Sequence, residues 1–210
     1  MSKGTLYYFA LHGRASAVRM LLDHAKVEFK DVKYAFEEWP EHKDSMPNKQ
    51  VPAWQPEGSD VKLGQSSAIL HMLGVEHGYY SAVPLEVHAI EFCLEIMNDF
   101  VNSKCIYPLF ADAQTPEQLD ALKAELEKYY RQLNEHLAGK KFCAGDRITI
   151  ADFVTYSGVI NMAYNTCHKN KEWNDADREI LEKHEHVMKW IAVMQEECKD
   201  HVAKRGEHFM

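Results

Sequence analysis

TLYYFALHGRASAVRMLL, residues 5–22, begins with the habits of a strand and ends with those of a helix. The aromatic residues at its start favour extended backbone. Ala17, Val18, Met20, Leu21 and Leu22 then recur at the spacing of one helical face. Between the two lies Gly13-Arg14, a natural place for the chain to turn. Adjacent strand residues point to opposite faces, so only one of Tyr7 and Tyr8 can face the core next to the helix. The other phenol faces a second layer or a cleft. One hydroxyl at the end of this strand is therefore free for chemistry, and Tyr7 reads as the packing residue.

Outward from this unit, residues 27–34 read as a second strand, completing βαβ. A polar stretch, 37–48, follows. Short strands are expected at 51–55 and 61–63 around the turn PEGSD, then a helix over 66–77 opened and capped by Ser66. From about residue 81 the pattern becomes helical throughout, with helices expected at 85–110, 116–137, 150–164, 175–183 and 185–199. In AGDRITIADF, Thr149 and Asp152 have the spacing of a capping box, a structural signal. The expectation is two domains, 1–80 and 81–210.

At 210 residues the chain is long enough to bury a core without disulfides or metals, roughly 70% of the unfolded surface for this size. Hydrophobic residues make up 46% and charged residues 27%, with no apolar run approaching the ~18–20 residues of a membrane span. A net charge of −8 argues against nucleic acid and anionic membrane as partners. Five scattered cysteines without a CxxC pair read as reduced, and no targeting segment is recognisable, so a cytoplasmic chain is expected. The densest histidine cluster, HEH at 184–186, puts His184 and His186 on different helical faces, which makes a poor ligand pair; no metal is expected.

A small βαβ-ββα domain followed by an all-α domain resembles the cytosolic glutathione transferases. The motifs that carry the resemblance stand in order from about residue 5 to about residue 190. LYYF with GRA resembles the family's first strand and helix entry, which implies Tyr8 as the catalytic tyrosine and Arg14 as its support. VPAW resembles its cis-proline turn, implying that Gln50, Val51 and Pro52 line the ligand, and LGQSSAIL resembles its Gln-Ser motif, here Gln65 and Ser66. Trp39 and Lys43 in EEWPEHK look most like the sigma class, in which an acidic residue of the first long helix, here Asp99, reaches the neighbouring subunit's ligand. The implied fold class is α+β, a thioredoxin-like βαβ-ββα domain followed by an all-α helical domain, and the implied assembly is a homodimer. The chain departs from the family at Ser16, where a glutamate is common, at Lys49-Gln50, and at Ala53-Trp54.

Glutathione, the implied co-substrate, carries two carboxylates, an ammonium, two amides and a thiol. A helix start such as Gln65-Ser66 suits the γ-glutamyl carboxylate. Lys43 and the Trp39 indole N–H suit the glycyl carboxylate, and the Val51 backbone suits the cysteinyl amide as an added strand would. Tyr8 is then a donor to the thiolate, which attacks a small hydrophobic electrophile in a pocket expected near Phe9, Leu11 and residues 98–107 and 160–164. A glutathione-dependent isomerase is a related option. The rival class is a non-catalytic scaffold or assembly subunit. No cysteine lies near residues 9–14, which argues against a thioredoxin-like oxidoreductase.

Overall fold

The computed structural model describes residues 3–103, 115–167 and 171–206. Strand β1, Gly4–Phe9, runs into a 3₁₀ turn, Gly13–Ala15, and then helix α1, Ser16–His24. The helix thus contains the whole apolar run from Ala17 to Leu22. Strand β2, Phe29–Tyr34, lies parallel to β1, with Tyr8 opposite Lys33 and Phe9 opposite Tyr34. The polar stretch after β2 contains helix α2, Trp39–His42, and 3₁₀ turns at Lys43–Ser45 and Pro47–Lys49. Strands β3, Ala53–Pro56, and β4, Leu63–Gly64, complete a mixed sheet of order β2-β1-β3-β4, and helix α3, Ser66–His77, follows. Both strands start later than expected.

The sheet fixes what α1 must bury. Leu6 and Tyr8 on one face of β1 pack with Val18, Met20, Leu21 and Leu22 of α1, in a core that continues into the helical half. Gly4 is required by this packing: a Cβ there would lie 2.4 Å from the ring of Trp54, which is fully buried. Gly78, at a φ of 81°, ends α3 in the left-handed conformation that glycine adopts without strain.

The remaining helices are α4, Pro84–Val101; α5, Pro116–Leu137; α6, Ile150–Met162; α7, Lys171–Leu181; α8, Glu185–Glu197; and α9, Lys199–Lys204. The helix expected to run to residue 110 ends at Val101, with Asn102 as its C-cap, and residues 104–110 lie outside the described residues. α5 opens on a capping box of Thr115 and Gln118, and α6 on that of Thr149 and Asp152. Asp152 is fully buried because its oxygens also accept from the Cys143 N–H at 2.8 Å and the Trp190 indole N–H at 2.9 Å. One carboxylate ties three segments.

Besides the shared core, polar contacts join the halves on two sides. The guanidinium of Arg147 donates to the carbonyls of Gly78 and Tyr80, at 2.9 and 3.0 Å, and to Glu86 at 3.1 Å, while the Ile150 N–H donates to the Tyr79 carbonyl at 3.0 Å. On the other side α9 is held on α1 by Asp23, which pairs with His201 and Lys204, each at 2.6 Å.

Candidate functional site

Sheet register brings the expected site residues to one edge. Tyr7 of β1 lies opposite Ala53 of β3, and Ala53 opposite Gly64 of β4. The end of β1, the start of β3 and the end of β4 therefore meet, carrying Tyr8, Val51-Pro52 and Gln65-Ser66 respectively. The Val51–Pro52 peptide is cis. Trp39 approaches the same edge through Phe9, ring centroids 5.3 Å apart, and Tyr34, 6.1 Å. Lys43 and Gln50 are exposed in the segment beside it, where Pro47 packs within 3.0 Å of the position a Gly64 Cβ would take. Asp99 does not join this group within the chain; it is exposed on α4.

Tyr8 is 7% exposed, and its hydroxyl oxygen accepts the Arg14 backbone N–H at 3.0 Å. A phenol that accepts from the protein keeps its own proton to donate elsewhere. Burial raises its pKa above the ordinary phenol value, opposed by the Arg14 hydrogen bond and by the charges of Arg14 and Arg19, so the group is protonated at neutral pH. Gly13, at a φ of 38°, makes this contact possible, since a Cβ there would sit 2.6 Å from the Tyr8 hydroxyl. Tyr7 points the other way, donating to the Gln55 side-chain oxygen at 2.8 Å and stacking on Tyr34.

The capping role expected of Ser66 is corrected. Gln65 is the N-cap residue of α3, at a φ of 71°, Ser66 is the first helical residue, and no side chain caps the helix. The first-turn N–H groups lack the protein acceptor that a cap provides, which leaves them available to an anion.

Arg19 is the residue that sequence reasoning missed. Its guanidinium is buried, pairs with Asp31 at 3.0 and 3.2 Å, bonds the Leu11 carbonyl at 2.7 Å and lies 5.7 Å from the Tyr8 ring centroid. It thereby fixes the connection after β1 and adds positive charge beneath Tyr8. The signal was an arginine in the apolar run AVRMLL, because a buried cation demands a partner.

The expected second-substrate lining is partly described. Ile160 and Tyr164 line a cavity of about 580 Å³ that includes neither Phe9 nor Leu11, and residues 104–107 lie outside the described residues. The four described cysteines are free. Among the described residues no cluster of three or more His, Cys, Asp or Glu side chains is arranged for a metal, and no helix is long and apolar enough to cross a membrane.

The glutathione S-transferase N-terminal domain model matches residues 2–74, and the C-terminal domain model matches residues 97–197. S-crystallin SL20-1 of Nototodarus sloanii is 29% identical over 183 residues, covering 77% of this chain and 82% of that protein. Glutathione S-transferase P of Homo sapiens is 30% identical over 153 residues, 71% of each chain. The solved glutathione S-transferase of Ascaris lumbricoides superposes with a TM-score of 0.84 at 24% identity, over 99% of this chain and 100% of that one, a likeness of fold. Its two domain matches, spanning both the mixed-sheet half and the helical half, show that the chain belongs to the glutathione S-transferase family.

Proposed function

We propose that this protein conjugates glutathione to small apolar electrophiles, with Tyr8 as the catalytic hydrogen-bond donor to the thiolate. The observation that supports the reading is the 3.0 Å bond from the Arg14 N–H to the Tyr8 hydroxyl oxygen, which leaves the phenolic proton available to a ligand. Half-ionising a thiol of pKa about 8.5 at pH 7 requires about 2 kcal/mol. A charge-assisted O–H···S⁻ hydrogen bond supplies about 1.5–3 kcal/mol. Arg14 is the positioning residue, through its backbone, and adds positive charge with Arg19. The thiolate sulfur then forms a bond to the electrophilic carbon, and the leaving group departs with its electron pair.

In this reading the γ-glutamyl carboxylate sits on the start of α3 at Gln65-Ser66, the cysteinyl amide pairs with the Val51 backbone in the turn of Gln50 and Pro52, and Trp39 and Lys43 hold the glycyl carboxylate. Residues 1–80 act as the glutathione half and 81–210 as the helical half, in a cytoplasmic setting that keeps the cysteines reduced. Val75 and Leu85, exposed at 68% and 84%, suit a two-fold homodimer in which Asp99 reaches the partner's ligand.

The test is retention on immobilised glutathione, followed by turnover of a generic chloronitroarene, with light scattering on the same sample. Retention with turnover and a mass near twice 24.3 kDa is expected. Retention without turnover refutes the transferase reading in favour of a scaffold, and an active monomer removes Asp99 from the site.

A further inference from the structure

The core of the helical half holds two thiols and an imidazole that the proposed conjugation does not use. Cys93 lies on α4 and Cys143 in the segment between α5 and α6, both free and fully buried. Their side chains are in hydrogen-bond contact with each other, and His136 of α5 hydrogen-bonds Cys93. Each part is held by further partners. The His136 Nε2–H donates to the Cys143 carbonyl at 2.7 Å, and its ring stacks on Phe92, the neighbour of Cys93, with centroids 4.9 Å apart. The Cys143 N–H donates to Asp152 at 2.8 Å, and Phe142 and Gly145 exchange backbone hydrogen bonds at 2.8 and 3.0 Å, closing the turn that carries Cys143.

The two thiols are unequal. The Cys143 S–H is donated to Cys93 and, with His136 beside it, holds the Cys93 thiol below the usual range against the opposing effect of burial. Burial pushes Cys143 up, so it keeps its proton. Burial also lowers His136, but the bond to Cys93 outweighs this and favours the charged imidazole next to a thiolate. A thiolate, a proton donor and a second thiol within reach are the parts of a dithiol that reacts with peroxide. His136 and Phe92 are half-buried, so the thiols lie one side chain below the surface, a depth suited to an oxidant as small as hydrogen peroxide. Among the described residues these groups are not arranged for a metal.

We propose that Cys93 and Cys143 are a modification site, a peroxide-responsive dithiol that closes reversibly to a disulfide between α4 and the segment leading into α6. The Cys93 thiolate attacks one oxygen of hydrogen peroxide, the O–O bond breaks, and Cys93 becomes a sulfenic acid. The departing hydroxide takes the proton of the His136 imidazolium and leaves as water. The Cys143 sulfur then attacks the sulfenic sulfur, the S–S bond forms, and the S–O bond breaks with the Cys143 proton leaving in a second water. Two thiols have given up two electrons to one peroxide. Thiol–disulfide exchange with two molecules of a free thiol restores the pair and leaves that thiol as its disulfide.

The experiment exposes the reduced full chain to hydrogen peroxide and follows it by intact mass and by peptide mapping after alkylation of the remaining thiols. A loss of about 2 Da for the two thiol hydrogens, a cross-linked Cys93–Cys143 peptide, and recovery of both thiols with dithiothreitol are expected. Cys143→Ala removes the resolving thiol, so the sulfenic acid should persist on Cys93 and be trapped there by dimedone. If that variant does not fold, the peptide map of the wild type decides alone. The proposal is overturned if the folded wild type gives no Cys93–Cys143 link, if the link forms only in a chain unfolded by urea, or if dimedone leaves Cys93 unlabelled in folded Cys143→Ala.

Discussion

Replacing Tyr8 by phenylalanine removes two hydrogen bonds of different kinds, and they are read by different measurements. The Arg14 N–H loses its acceptor, the Tyr8 hydroxyl oxygen 3.0 Å away, which should lower stability by about 1 kcal/mol. The thiolate of bound glutathione loses a charge-assisted donor worth about 1.5–3 kcal/mol, which converts to a rise of about 1–2 units in its pKa. At neutral pH the same loss slows turnover by about ten- to a hundred-fold. The assay is an ultraviolet titration of the glutathione thiolate on the enzyme, run beside turnover and thermal melting. Tyr7→Phe is the internal control: it gives up the bond to Gln55 at 2.8 Å and should cost stability without moving the thiol pKa. An unchanged thiol pKa in Tyr8→Phe, or an equal shift in Tyr7→Phe, refutes the assignment of Tyr8 as donor.

Ser66→Ala should leave the melting temperature nearly unchanged, because Ser66 caps nothing, while Ser66→Asp should fold normally and lose retention on immobilised glutathione, its charge repelling the ligand's carboxylate; normal retention by the aspartate variant would remove the anion site from the start of α3. Burial pushes Asp177 up to about 7, with Tyr130 donating to one oxygen at 2.7 Å and the other oxygen unpartnered. A carboxyl whose folded pKa is raised contributes stability that is full below its unfolded value of about 4 and is lost as pH rises through about 7. Between pH 5 and 8 the wild type should therefore lose melting temperature relative to Asp177→Asn, and parallel curves for the two proteins would contradict this.

The elements most legible in the sequence carry their own local signals. Thr149 with Asp152, a capping box legible in the sequence, places the start of α6. β4 is two residues long and exists through pairing with Ala53 and Trp54, so the strand expected at 61–63 is placed two residues later, by its partner and not by its own residues. Gln65 was hidden as the cap because its positive φ is a conformation that glutamine seldom adopts and its side chain does not advertise. The site's motifs were readable in order along the chain. Their convergence is a property of register across three strands, and Arg19 belongs to it through a pairing with Asp31 twelve residues away that helical periodicity does not encode.

The grip of Arg147 and Ile150 on the segment between α3 and α4 bears on how freely this chain can be recombined. Arg147 satisfies two carbonyls of that segment and the Glu86 carboxylate in the first turn of α4, and the Ile150 side chain packs close against Gly74. The two halves are thus not interchangeable cassettes. A chimera that keeps residues 1–80 and takes its helical half from a relative inherits orphaned carbonyls at Gly78 and Tyr80 unless an arginine equivalent to Arg147 travels with the graft. Crossover points placed beyond residue 150 retain that grip, whereas a crossover at the junction itself cuts it.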